Sequence, residues 1–217
     1  MARLSNLFKG AVLSLFLFNA PMAVAKEVIR VGEINSYKTI PSFLEPYKKG
    51  IELAVHEVNA AGGLLGGKQL EVIIRDDGGS PGAAVREAQN LLSRDRVDLL
   101  SGSFLSHIAL ALADFARQRQ VFFLAGEPLS DKMTWGNGNR YTFRLRDSTY
   151  MKTRMLVPTA LEFKKKRWAL IYPNYEYGQS AIETFKAEMR KHQPDIEFVL
   201  EQALSLIHIS EPTRRYA

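Results

Sequence analysis

Three runs decide how this chain folds: Val28-Ile-Arg-Val-Gly-Glu33, Ile51-Glu-Leu-Ala-Val-His-Glu-Val58, and Leu70-Glu-Val-Ile-Ile74. The first is a short, apolar-rich strand. In the second, Ile51, Ala54, Val55 and Val58 recur at helical spacing. The third is nearly continuous apolar, as a parallel strand covered on both faces should be. Between the first two, a loop through Ser36 and Tyr37 ends at Pro46, which suits the first turn of a helix. Gly62-Gly63 stops that helix, and Leu64 to Lys68 turns the chain back. Strand, helix and strand in this order build a parallel sheet with helices on its faces. Such sheets bind ligands beyond the carboxyl ends of their strands.

The alternation continues outward from these runs. Asp76-Asp77-Gly78-Gly79 closes the second strand with turn chemistry, Ser80 can cap the next helix, and Pro81 can occupy its first position. Val85, Ala88, Leu91 and Leu92 give that helix a buried face. Val97 to Ser101 reads as a third strand, and Ser106 as an N-cap for the helix through Ala109, Ala113 and Ala116. Val121 to Ala125 is a fourth strand, followed by a loop from Gly126 to Asn139. Tyr141 to Arg144 suits a fifth strand or a crossing segment. From Tyr150 the pattern restarts, with a helix through Met155 and Leu161, a strand at Trp168 to Tyr172, a helix from Tyr177 to His192 and a strand beginning at Ile196. The expected class is therefore α/β in two lobes, with residues 26–146 forming the first and 147–203 beginning the second.

Composition narrows the function classes. The 217 residues are 46% hydrophobic and lack cysteine, which excludes disulfides and thiolate metal sites. The net charge of +6 is spread thinly, and nucleic acid is not an expected partner because no basic stripe with interleaved aromatics appears. The run Lys164-Lys165-Lys166-Arg167 reads as cations at a helix C-terminus. Residues 1–25 have the parts of a secretory signal: Arg3 and Lys9, an apolar core from Ala11 to Phe18, and Ala23-Val24-Ala25 at the cleavage site. An exported protein, periplasmic in a bacterium, is the expectation. At the other end, Leu204 to Arg214 reads LSLIHISEPTR and resembles the in-frame translation of a transposase adapter used in sequencing libraries. On that reading residues 204–217 are artefactual and the second lobe is truncated near Ala203.

Several loop residues could meet a ligand. Backbone N–H groups at the start of the helix after Ser106 suit a carboxylate, and the Ser106 hydroxyl could cap the helix or touch the ligand. Tyr37, Phe43, Tyr175 and Tyr177 offer aromatic walls, or pack on their own domain. Glu127 could meet an ammonium group or stay solvated. Asp76 and Asp77 are explained by the turn they form. His107 is the one histidine at the expected crevice edge. Catalysis finds little support, because no Gly-x-Ser-x-Gly elbow or His-Glu-x-x-His helix is present. The glycines of Gly62 to Gly67 follow a helix and precede a strand, the reverse of a dinucleotide fingerprint. No cofactor or metal is expected.

The runs Gly50-Ile51-Glu52-Leu53-Ala54, Glu57-Val58-Asn59-Ala60-Ala61-Gly62-Gly63 and Arg75-Asp76-Asp77, with Pro81 beyond, resemble periplasmic solute-binding proteins of the leucine/isoleucine/valine-binding type. Asn174-Tyr175-Glu176-Tyr177-Gly178 resembles that family's tyrosine-glycine element. The resemblance spans about Val28 to Leu200 and implies a two-lobed clamp serving an ATP-driven importer. It further implies that Ser106 and the loop at Gly126-Glu127 hold a ligand carboxylate. Phe43 stands where amino-acid binders usually carry tyrosine, and Tyr177 supplies the second-lobe aromatic. Such a protein takes a small-molecule solute and delivers it to a membrane permease. A branched-chain or related amino acid is the leading ligand, while relatives also bind aromatic acids, amides or urea. The alternative of another class is a ligand-sensing receptor or regulator domain of the same fold. No helix-turn-helix pattern precedes Val28, and a secreted α/β enzyme is the remaining reading.

Overall fold

A computed structural model describes residues 28–205. The expected export signal and most of the adapter-like run therefore lie outside the described residues. Leu204, where that run begins, is the last residue of a strand.

Five parallel strands form the first sheet: β1 (Val28–Asn35), β2 (Gln69–Asp76), β3 (Leu99–Gly102), β4 (Phe123–Ala125) and β5 (Thr142–Arg144), in the order β2-β1-β3-β4-β5. Helix α1 (Pro41–Ala60) covers one face. Helices α2 (Pro81–Ser93) and α3 (Ser106–Arg119) cover the other, where Ala84, Ala88, Leu91, Ile108 and Leu112 pack on Ile34, Leu100 and Phe123. The alternation along β1 explains this division, since Val31 looks toward α1 and Ile34 toward α2 and α3. Burying these apolar side chains is the main stabilising term, at roughly 25 cal/mol per Å² of apolar surface removed from water.

A second, two-stranded parallel sheet pairs β6 (Arg167–Pro173) with β7 (Glu197–Leu204). It packs with α4 (Thr149–Glu162) and α5 (Glu176–His192) around Val157, Ala160, Met189 and Ile196. The restart expected near Tyr150 is thus a separate sheet with its own core. Among the described residues no helix is long and apolar enough to cross a membrane.

Local expectations hold in α2, where Ser80 accepts from the Ala83 N–H and Pro81 occupies the first turn. Three need correction. Helix α1 begins at Pro41, and Pro46 lies inside it. Both prolines suit a first helical turn, and the buried Leu44 gains an anchor only if the helix starts early. Ser106 is the first residue of α3, whose N-cap is Leu105 with no side-chain cap bond. The Lys164 to Arg167 run lies past the end of α4. Lys164 has φ 53°, Lys166 pairs with Asp195, and Arg167 opens β6.

Candidate functional site

The strand order reverses between β1 and β3, so the loops after them diverge and open a crevice at their carboxyl ends. Asn35 ties the two loops together, its Oδ1 accepting from the Phe104 N–H (2.8 Å) and the Ser36 N–H (3.2 Å). Gly102 makes the close approach possible. It has φ +105°, and a Cβ there would lie 2.4 Å from the Ile34 carbonyl oxygen. Only glycine fits both constraints.

Above this point lies a cavity of about 160 Å³. Phe104, Ser106, Glu127 and Leu129 wall it from the first sheet's loops, Arg146 from the segment between β5 and α4, and Tyr175 and Tyr177 from the start of α5. The Ser106 side chain is buried, and its oxygen accepts from the N–H groups of Leu129 (3.2 Å) and Ser130 (3.3 Å). Those bonds occupy its two lone pairs and leave the O–H to donate. A donor beside the start of α3, where the Ile108 N–H is already taken by the Leu105 carbonyl (3.0 Å) but the first N–H groups of a helix have no intrahelical partner, suits an anion.

Glu127 forms an ion pair with Arg146. The sequence offered it as an ammonium contact or a solvated side chain; its carboxylate, 14% exposed, is engaged with a guanidinium. The Tyr175 phenol is pushed up to about 12 by burial first and by Tyr177 second, so it is a neutral donor at pH 7. His107 meets Tyr175 edge-on, with ring centroids 5.8 Å apart. Burial holds its imidazole below the ordinary range, against the opposite pull of Asp77 and Glu176.

Three of the five expected ligand contacts, Ser106, Glu127 and Tyr177, share this cavity. Phe43 does not line it. In the first turn of α1 it is 41% exposed and tilts against Phe104 at 4.8 Å, backing the wall from behind. Gly126 borders a different hollow of about 200 Å³ beneath α1, with Tyr47 and Val31. Tyr37, offered as a wall, is buried and donates to Glu33 (2.5 Å). Asp76 and Asp77 serve their turn, accepting from the N–H groups of Gly78 (3.4 Å) and Gly79 (2.8 Å). Sequence reasoning missed Arg146, which it treated as a boundary, and Phe104. The signal for Arg146 was a lone cation in the segment joining the two halves.

A larger hollow of about 410 Å³ lies between α4, α5 and β6, walled mainly by Leu156, Trp168, Leu170, Ile182 and Phe185. Both hollows are mostly apolar, and Tyr177 borders each, but the polar residues of the smaller one come from both halves of the chain: Ser106 and Glu127 from one, Tyr175 and Tyr177 from the other, with Arg146 between them. Recognition of a polar solute needs that convergence.

Polar bonds also join the two halves beside the cavity. Ser130 donates to Glu176 (2.7 Å), which also pairs with Lys132 (3.1 Å). Asp131 accepts from the Thr149 hydroxyl (2.5 Å) and the Tyr150 N–H (2.9 Å).

The sequence profile of the periplasmic binding protein family matches residues 29–206. The chain belongs to that family. Relatives include the Leu/Ile/Val-binding protein homolog 8 of Brucella suis, 29% identical over 82% of this chain and 46% of the relative. The homolog 7 of Brucella melitensis is 31% identical over 81% of this chain and 47% of its own length. A solute-binding protein of an ABC transporter from Rhodopseudomonas palustris, solved with 3,4-dihydroxybenzoic acid, superposes with a TM-score of 0.73 at 24% identity, over 83% of this chain and 48% of that one. A substrate-binding protein from Desulfitobacterium hafniense in complex with Leu gives 0.68 at 23% identity, over 81% of this chain and 50% of that one. This chain spans about half the length of the curated relatives it matches. The fold is the α/β architecture of these binding proteins, with parallel sheets flanked by helices, and the family is one of binders rather than enzymes.

Proposed function

We propose that this chain forms the ligand-binding part of an extracytoplasmic solute receptor for an ATP-driven importer, capturing a small carboxylate-bearing solute between two lobes for delivery to a membrane permease. The observation that carries this reading is the cavity itself. Its walls come from both halves of the chain, and a buried serine hydroxyl there keeps its proton free to donate. Closure of one half on the other would trap the solute, and the closed form is what a permease can distinguish from the empty one. The names of the relatives favour a branched-chain or related amino acid, and the export-type N-terminus favours the periplasm.

An aromatic carboxylate is a second reading, favoured by the three rings of Phe104, Tyr175 and Tyr177 on one cavity. A cavity of about 150 Å³ takes a single benzene ring, which is close to the space present here.

The test is a thermal-shift screen of the full-length gene product with branched-chain amino acids, hydroxybenzoates, aliphatic amides and urea. A ligand at a hundred times its Kd adds about 2.7 kcal/mol to stability, which gives a rise of several degrees. The reading expects that rise with a carboxylate. If no carboxylate shifts the midpoint while a neutral amide or urea does, the carboxylate reading is wrong. A receptor or regulator of the same fold would show the same shift, and genes for a permease and an ATPase beside this one separate the two.

A further inference from the structure

Arg146 stands between the two sheets, on the segment that joins β5 to α4. Its Nη1 donates to Glu127 Oε2, and its Nε lies 3.9 Å from Asp147 Oδ1. The side chain is 36% exposed and borders the cavity shared with Ser106 and Tyr177. A guanidinium has five N–H donors in a planar fork, so a single bond to Glu127 leaves others available. Glu127 alone would repel an anion at this wall; paired with Arg146 it is neutralised and fixes the guanidinium in place.

We propose that Arg146 holds the ligand's carboxylate and sets the preference for carboxylates over their neutral amides, with Glu127 as its positioning partner. The inference rests on the solute-receptor reading above and adds the residue that reads the ligand's charge. Ser106 then supplies one neutral donor, and Arg146 the charge-assisted fork that discriminates. Glu127, engaged with the guanidinium, does not serve as an ammonium acceptor.

The experiment is calorimetric titration of the full-length gene product with two matched pairs, benzoate with benzamide and L-leucine with L-leucinamide. Arg146→Gln is expected to weaken the carboxylate of whichever pair binds by about 10- to 100-fold, the range for losing a charged hydrogen bond. Affinity for the matching amide should change by less than about threefold. Arg146→Lys, which keeps the charge and loses the fork, should fall between wild type and Arg146→Gln. Glu127→Gln should leave leucine and benzoate affected alike. Equal losses for carboxylate and amide in Arg146→Gln assign the residue a purely structural role and overturn the proposal. So does an unchanged carboxylate affinity, or a Glu127→Gln variant that loses leucine alone. If the wild type binds neither carboxylate, the carboxylate reading on which the proposal rests has failed, an outcome distinct from these.

Discussion

Ser106 shows how far a single residue can be read before the fold is known. Its place at the start of a helix beyond the third strand was legible, because serine before an apolar helical run is a common cap. Its work was not, because its two acceptor bonds come from Leu129 and Ser130, more than twenty positions along the chain. Ser106→Ala leaves two backbone N–H groups without their partner, so a loss of about 1–3 kcal/mol in stability is expected by urea denaturation, alongside weaker ligand binding. Glu33 gave no signal at all, lying in what reads as an ordinary strand. It is fully buried on β1, where its carboxyl accepts from Asn35 Nδ2 (3.2 Å) and the Tyr37 hydroxyl (2.5 Å). Burial pushes it up to about 7, the two hydrogen bonds pull it down, and Asp77 adds a smaller upward push. Below the ordinary value of 4.5 both folded and unfolded chains keep the proton and burial carries no ionic penalty. From there to about 7 the unfolded chain has released the proton while the folded chain retains it. Stability therefore falls as pH rises through this window, by at most about 1.4 kcal/mol per pH unit from this group. Calorimetric melting of wild type and Glu33→Gln between pH 4.5 and 8 should show the variant gaining on wild type as pH rises. Parallel curves would mean that Glu33 is not a buried neutral acid.

Elements follow the sequence where one local signal dominates and depart from it where two compete. The turn at Gly62-Gly63 and the cap at Ser80 had no rival. The start of α1 had two prolines to choose from, and the choice was made by packing that no local pattern records. Two motif residues acquire physical reasons at this scale. Asn59, near the end of α1, donates to the Leu70 carbonyl (2.9 Å) and accepts from the Leu70 N–H (2.8 Å), pinning the helix end to the start of β2. Gly178, in the first turn of α5, lies so close to β6 that an added Cβ would sit 1.9 Å from the Pro173 carbonyl oxygen. Backbone cannot yield as a flexible side-chain tip can. Gly178→Ala should therefore cost at least the roughly 1–3 kcal/mol typical of overpacking, read as a lowered urea midpoint. Because Tyr177 precedes it on the cavity wall, ligand affinity should fall as well. A variant with wild-type stability would mean that α5 can slide away from β6 freely.

At the scale of the whole molecule, the alternation of strands and helices made two parallel sheets legible, and the restart at Tyr150 announced the second. What no pattern could announce is the polar seam between them, since its members come from a loop, a 3-10 turn at Asp131–Met133 and the first turns of α4 and α5. One strand of that seam begins in the cavity. The Ser106 oxygen takes the Ser130 N–H (3.3 Å), and the Ser130 hydroxyl reaches Glu176 (2.7 Å), so a group in the cavity is two hydrogen bonds from the opposite half. If the halves part to release a solute, the Ser130–Glu176 bond and the Lys132–Glu176 pair must break first, and they add to the barrier against release but not to the encounter. Stopped-flow measurement on the full-length gene product should then show Glu176→Gln and Ser130→Ala raising the dissociation rate of the bound carboxylate about 3- to 10-fold, the equivalent of roughly 1 kcal/mol, with the association rate little changed. The two substitutions should be less than additive when combined, because Ser130→Ala removes the bond that Glu176→Gln weakens by taking the charge from its acceptor. A dissociation rate that ignores both would separate the seam from the opening motion and leave it as static packing between the sheets.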